Sequence, residues 1–137
     1  MILVDTNVWS ELLKPFRNDV VHDWVDRNGN QLVLSSIVLG ELRLFVEKQE
    51  DGRRKNELHD MLAAIRARAD DRLLDFGEDD ANQYGKLMAE MRKSGTPLPQ
   101  MDGLIAAQAL ANGLTVATRN IKDFQRTGVA LVNPWKE

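Results

Sequence analysis

The chain has 137 residues, enough for one domain around one core, and 43% of them are apolar. It contains no cysteine, which excludes disulfides, thiolate zinc sites and cysteine nucleophiles. The net charge of −3, with 28% charged residues, argues against a globally basic nucleic-acid-binding surface. No run of about 18 apolar residues occurs, so no membrane span is expected. No basic segment leads into a long apolar stretch at the N-terminus, so no signal peptide is expected and the cytoplasm is the expected location.

Short β-like runs alternate with helix-like segments, the pattern of a parallel sheet with crossover helices. Ile2–Val4 reads as the first strand. Asp19–Arg27 reads as a short helix with Val20, Val21, Trp24 and Val25 on one side, and Leu32–Leu34 as a second strand. Ser36 is a plausible N-cap for a helix over Ile37–Gln49, and Gly52 breaks that segment. Leu58, Met61, Leu62, Ile65 and Ala69 recur at helical spacing within Asn56–Ala69. Leu73-Leu74 predicts a short strand, and Asp79–Lys93 a helix stopped by Gly95. Thr96-Pro97-Leu98-Pro99 is extended, because residues before proline avoid the α region. Gly103–Ala111 predicts an alanine-rich helix ending at Asn112-Gly113, followed by a buried strand at Thr115–Ala117 and a last one at Ala130–Val132. The whole predicts an α/β fold in a single domain over 1–137, with a central parallel sheet of about four to five short strands flanked by helices.

The acids fall at telling positions in this pattern. Asp5 ends the first strand, Glu41 interrupts the apolar run Ile37–Leu42, Asp102 precedes Gly103–Ala107, and Asn120 and Asp123 follow the strand at 115–117. Open parallel sheets bind ligands at the carboxyl ends of their strands, so Asp5, Asn120 and Asp123 project to one edge if both strands are central. Each acid also has a structural reading. Asp5 can begin a turn with Thr6 and Asn7, Glu41 can be a half-exposed residue in an imperfect stripe, Asp102 can be a helix cap, and Asp123 can sit solvated in a turn. Four such accidents at one edge are less economical than one acidic pocket. Three carboxylates within about 5 Å would repel pairwise by roughly 3 kcal/mol at an effective dielectric near 20. A divalent cation removes that cost, and oxygen-only ligands suit Mg²⁺ or Mn²⁺.

Other constellations carry less. His22 and His59 lie in separate helices, the serines lack a nucleophile-elbow context, and neither a Walker A loop nor a Gly-x-Gly-x-x-Gly occurs. Lys48, Arg53, Arg54, Lys55, Arg66, Arg68 and Arg72 crowd one third of the chain, which reads first as a solvated helical hairpin and second as an arm for phosphates. Trp9, Trp24 and Trp135 read as core or interface residues rather than base-stacking ones. A dehalogenase-type phosphotransferase needs Asp-x-Asp after its first strand, where this chain has Asp5-Thr6-Asn7. A receiver domain needs an acidic pair there and a phosphoacceptor aspartate after strand three, for which only Asp75 is near.

Four segments together resemble the PIN-domain ribonuclease toxins of the VapC type. Met1-Ile2-Leu3-Val4-Asp5-Thr6-Asn7 is similar to the family's opening, and Leu34–Arg43, with Glu41, to its second motif. Met101–Ala107, with Asp102, resembles the third, and Thr118–Phe124, with Asn120 and Asp123, the fourth. The closing Val132-Asn133-Pro134-Trp135 is most like the FitB branch. The match follows the whole chain in order.

The resemblance implies a Mg²⁺- or Mn²⁺-dependent endoribonuclease, commonly a homodimer, whose cognate antitoxin blocks the pocket and carries any contact with operator DNA. It implies Asp5, Glu41 and Asp102 as metal ligands, with Asn120 and Asp123 sharing the fourth acidic position, where the family often has aspartate. Thr6, Asn7 and Thr118 become supporting residues, and Arg43, Arg53, Arg54, Lys55 and Arg119 candidates for RNA phosphates. Single-stranded or looped RNA is the expected substrate, because its bases can be splayed out. Attack by water predicts 5′-phosphate and 3′-hydroxyl ends. The alternative is a catalytically weak module that only partners an antitoxin at an operator.

Overall fold

The computed structural model describes residues 1–136. Its five strands are β1 (Ile2–Val4), β2 (Leu32–Ser35), β3 (Leu73–Leu74), β4 (Thr115–Ala117) and β5 (Leu131–Val132). Seven helices connect and flank them: α1 (Thr6–Glu11), α2 (Asp19–Arg27), α3 (Ser36–Glu47), α4 (Arg53–Ala69), α5 (Glu78–Lys93), α6 (Gln100–Asn112) and α7 (Ile121–Phe124). All pairings are parallel, in the order β3-β2-β1-β4-β5. The expected α/β architecture is therefore observed, with five strands.

The central strands are apolar on both faces because helices cover both. Leu3, Val4, Leu32, Leu34, Val116 and Ala117 are all buried, as parallel sheets with crossover connections require. β1 lies between β2 and β4, with Ile2 opposite both Leu32 and Thr115. The chain runs outward from β1 to β2 and β3, then returns to the other side of β1 as β4. The crevice between β1 and β4 is thus a topological switch point, the usual ligand position in such sheets.

Several boundaries differ from the sequence expectation, each for a local reason. Thr6–Glu11 forms a helix that the apolar pattern did not reveal, because six residues hold too few turns to show a period. Asp5 caps it, in extended conformation, its carboxylate accepting from the Thr6 N–H at 2.8 Å. The N-cap of α3 is Ser35 rather than Ser36: Ser35 Oγ accepts from the Ile37 N–H, while Ser36 is already helical and its hydroxyl accepts from the Phe76 N–H. α4 begins at Arg53 and α5 at Glu78. α6 starts three residues early, at Gln100, so Pro99 is its cap and Asp102 lies in its first turn. Asp102 is therefore not the helix cap. Pro99 suits the boundary, since proline enters a helix only at its start.

On α3, Val38, Leu42 and Val46 enter the core while Leu44 and Phe45 face outward, 58% and 41% exposed. Glu41 is half-buried and lines a cleft with Ile37, Leu44, Met101 and Leu104. Trp9 and Trp24 are core residues, and Trp135 packs partly buried against the core.

Candidate active site

Asp5 sits where β1 gives way to α1, only 5% exposed. Its backbone N–H donates to Ala117 O at 2.9 Å, which ties the end of β1 to the end of β4. One carboxylate oxygen takes the Thr6 N–H, and the other takes the Thr118 hydroxyl at 2.7 Å and Asn7 Nδ2 at 3.2 Å. Thr118, the residue after β4, is fully buried. While donating to Asp5, its hydroxyl oxygen accepts from the Asn120 N–H at 3.0 Å and from Asn7 Nδ2 at 3.3 Å. Two strand ends and the first helix are thereby fixed around one carboxylate.

The other acids arrive from three helices. Glu41 on α3 accepts the Thr6 hydroxyl at 2.5 Å. Asp102, in the first turn of α6, and Asp123, on α7, both accept from Asn120 Nδ2, at 3.1 and 3.0 Å. Asn120 thus places one neutral amide between two carboxylates. Asp123 also pairs with Arg126 at 2.9 Å. Arg126 was no sequence candidate, although its spacing, three residues beyond Asp123 and within reach on a helical turn, was the available signal.

The electrostatics follow from this crowding. Asp102 is pushed up to about 6, first by burial and then by the charges of Asp5, Asp123 and Glu41, with the Asn120 hydrogen bond opposing. Asp5 is also raised, chiefly by burial, with Glu41 adding to it and the donors Thr118 and Thr6 opposing. Asp102 and Asp123 are thus joined through Asn120, Asp5 and Glu41 are joined through Thr6, and Asp102 feels the charges of the other three.

A hard divalent cation fits this donor set, which is all oxygen and carries a surplus of negative charge. Among the described residues, no group of three or more His, Asp or Glu side chains is arranged to hold a metal ion. Mg²⁺ does not demand one, because it commonly keeps several waters and takes one or two carboxylates directly. Hydrogen bonds from Thr6, Thr118 and Asn120 reach carboxylate oxygens of all four acids.

The basic candidates are placed differently. Arg43 and Lys55 face Glu47 and Asp51, and Arg53 and Arg54 face Glu57. Arg119, between Thr118 and Asn120, lies over the ring of Trp135 instead.

Fold and site define a small α/β protein with an acid-lined pocket at the switch point of a five-stranded parallel sheet. Residues 2–130 match the PIN domain family, and the chain belongs to it. It is 40% identical to Toxin FitB of Neisseria gonorrhoeae, with 100% of each chain covered. It is 36% identical to VapC ribonuclease Y4jK of Sinorhizobium fredii, with 99% of each covered. The solved structure of FitAB bound to an IR36 DNA fragment superposes with a TM-score of 0.92 at 38% identity, over 98% of this chain and 96% of that one. The similarity to VapC ribonucleases and to FitB in particular agrees with the motif resemblance.

Proposed function

We propose that this protein is the ribonuclease toxin of a toxin–antitoxin pair and hydrolyses RNA phosphodiesters at the acidic pocket with Mg²⁺ or Mn²⁺. The observation that carries the reading is Asn120 Nδ2 bridging the carboxylates of Asp102 and Asp123, beside Asp5 and Glu41, which Thr6 links. Similarity to a VapC ribonuclease and to a toxin supports the same class.

Asp5 and Asp102 would hold the cation, and Asn120 and Asp123 would complete the pocket on the α7 side. When bound, the ion supplies a more acidic water and polarises the phosphoryl oxygen. Glu41, oriented by the Thr6 hydroxyl, would orient or deprotonate the attacking water, or complete the metal shell. Thr118 and Asn7 keep Asp5 in one rotamer, and Arg126 does the same for Asp123. Water as nucleophile leaves 5′-phosphate and 3′-hydroxyl ends. Of the basic candidates, Arg119 borders the site and is offered to flanking phosphates, while Arg43, Arg53, Arg54 and Lys55 pair with Glu47, Glu57 and Asp51.

The partner is a cognate antitoxin that covers the pocket, and any operator DNA is reached through it. The toxin acts as a homodimer in the cytoplasm. No helix among the described residues is long and apolar enough to cross a membrane.

The test is cleavage of single-stranded RNA by the purified chain with Mg²⁺ or Mn²⁺, beside Asp5→Asn. Metal-dependent cleavage that disappears in the variant, with 3′-hydroxyl products, is expected; a 2′,3′-cyclic phosphate product would sink the mechanism. A second reading rests on Asn120, which supplies an amide where a charge is wanted. Absence of cleavage with intact antitoxin binding would favour a binding module instead.

A further inference from the structure

One cation beside the pocket is held by an aromatic ring rather than by a carboxylate. Arg119 stands between Thr118 and Asn120, both members of the pocket's hydrogen-bond network. Its backbone N–H donates to Asn7 Oδ1 at 3.3 Å, and Asn7 Nδ2 donates onward to Asp5. The root of the side chain is thus tied to Asp5 through a single residue. The guanidinium carbon lies 5.0 Å from the centroid of the Trp135 ring.

That ring is anchored in turn. The Trp135 N–H donates to Asn133 Oδ1, Pro134 beside it is buried, and the turn Pro134–Lys136 packs on α2. An arginine stacked on an indole uses the face of its planar group, so its N–H edge stays available to an oxyanion. Arg119 is exposed and has no carboxylate partner among the described residues. Arg43, Arg53, Arg54, Lys55 and Arg126 each face one. Their charge is locally compensated; among the described residues, Arg119 meets an aromatic ring instead.

Phosphate approaching this pocket meets carboxylates first. A guanidinium fixed at the rim offsets that repulsion and gives the strand a register. We propose that Arg119, held in place by Trp135, binds a phosphate of the RNA strand flanking the scissile one; this rests on the ribonuclease reading above. Arg119 touches the substrate, whereas Trp135 is a positioning residue. Stacking restricts a long flexible side chain before RNA arrives, which lowers the ordering cost of binding.

The experiment uses the full chain and a short single-stranded RNA that the wild type cleaves. Cleavage with Mg²⁺ or Mn²⁺ gives KM and kcat, and titrations without divalent metal give Kd over a range of salt. Arg119→Gln is expected to raise KM and Kd about tenfold, as loss of a charge-assisted hydrogen bond does. It should also reduce the slope of log Kd against log salt by about 0.7, one phosphate contact on a single strand. Arg119→Lys should restore that slope but only part of the affinity, because lysine lacks the planar fork. Trp135→Leu keeps the charge, so it should raise KM about threefold and leave the slope alone.

RNA should also change the fluorescence of Trp135, since Trp9 and Trp24 are buried. Unchanged KM and slope in Arg119→Gln, with a cleaving wild type, would overturn the clamp and leave the ribonuclease standing. No cleavage by the wild type would remove the ribonuclease instead, and the metal-free slope would still decide whether Arg119 binds phosphate. If Arg119→Gln melts early, Arg119→Lys takes its place, and affinity equal to wild type would overturn the proposal.

Discussion

Two polar clusters lie inside this small fold, and they are built to opposite rules. Around Gln108, fully buried on α6, every group is answered by a neutral partner. Ser35 Oγ donates to Gln108 Oε1 at 2.6 Å, Gln108 Nε2 donates to Leu74 O at 3.1 Å, and Asn112 Nδ2 donates to Gln108 O at 2.7 Å. The one carboxylate there, Asp80, accepts from Asn112 Nδ2 and from the Gly77 N–H, both at 2.8 Å. This cluster joins β2, β3, α5 and α6. The pocket at the β1 and β4 ends has comparable hydrogen bonds but four carboxylates, and Arg126 on Asp123 is the only ion pair they make among the described residues. A saturated network holds elements together. A network with surplus charge carries a repulsion that a bound cation would relieve.

The sharpest way to break this contrast is to remove charge from the pocket. Asp102→Asn should lower kcat/KM by at least about 100-fold, since even partners behind a metal ligand cost 10 to 100-fold when lost. The same substitution should raise the melting temperature of the metal-free protein, because it relieves repulsion from Asp5, Asp123 and Glu41. Steady-state kinetics and a metal-free melt on one preparation check both. Loss of stability together with activity would mean that the pocket is structural, like the Gln108 cluster.

Gln108→Leu should do the reverse. It leaves the Leu74 carbonyl without its side-chain donor and the Ser35 hydroxyl without its acceptor, at a cost of about 1–3 kcal/mol. Denaturant titration should show that loss, while kcat/KM of the folded fraction stays within about twofold of wild type.

The pH dependence separates the two clusters further. A carboxyl raised to about 6 in the folded chain stabilises it fully below the ordinary aspartate range, and that contribution is lost as pH rises through 6. Asp5 adds in the same direction. The metal-free melting temperature should therefore fall between about pH 4 and pH 7. Mg²⁺ should reverse the fall, because it binds the ionised form. Cleavage should rise over the same interval. A flat metal-free profile would show that the acids are farther from one another in solution.

Much of the site was legible before any coordinates. Asp5, Glu41, Asp102, Asn120 and Asp123 each border an apolar run, and parallel topology brings strand ends to one edge, so adjacency in pattern became adjacency in space. What was hidden depends on finer geometry. α1 is too short for a period, and Ser35 and Ser36 are equally good caps by chemistry. The start of α6 at Gln100, ahead of its apolar run, moved Asp102 from a cap into the first turn. Arg126 and Trp135 gain their roles through pairs formed only when α7 and the last turn fold beside the pocket.

The smallest expected effect comes from Asn120, and it bears directly on what the pocket is for. Its amide Nδ2 donates to Asp102 and Asp123 together, so without metal it serves as a neutral spacer between two like charges. Asn120→Asp replaces that donor with another acceptor in the same crowded space. The metal-free protein should lose about 1 kcal/mol, the worth of an ordinary hydrogen bond, or a few degrees of melting temperature. With Mg²⁺ or Mn²⁺ the added charge becomes a ligand, and calorimetry should show affinity a few-fold tighter than wild type. The two shifts must have opposite signs if the surplus charge exists to bind a cation. A variant that is both less stable and weaker in metal binding would show instead that the amide itself is what the site needs, with its carbonyl oxygen turned toward the ion.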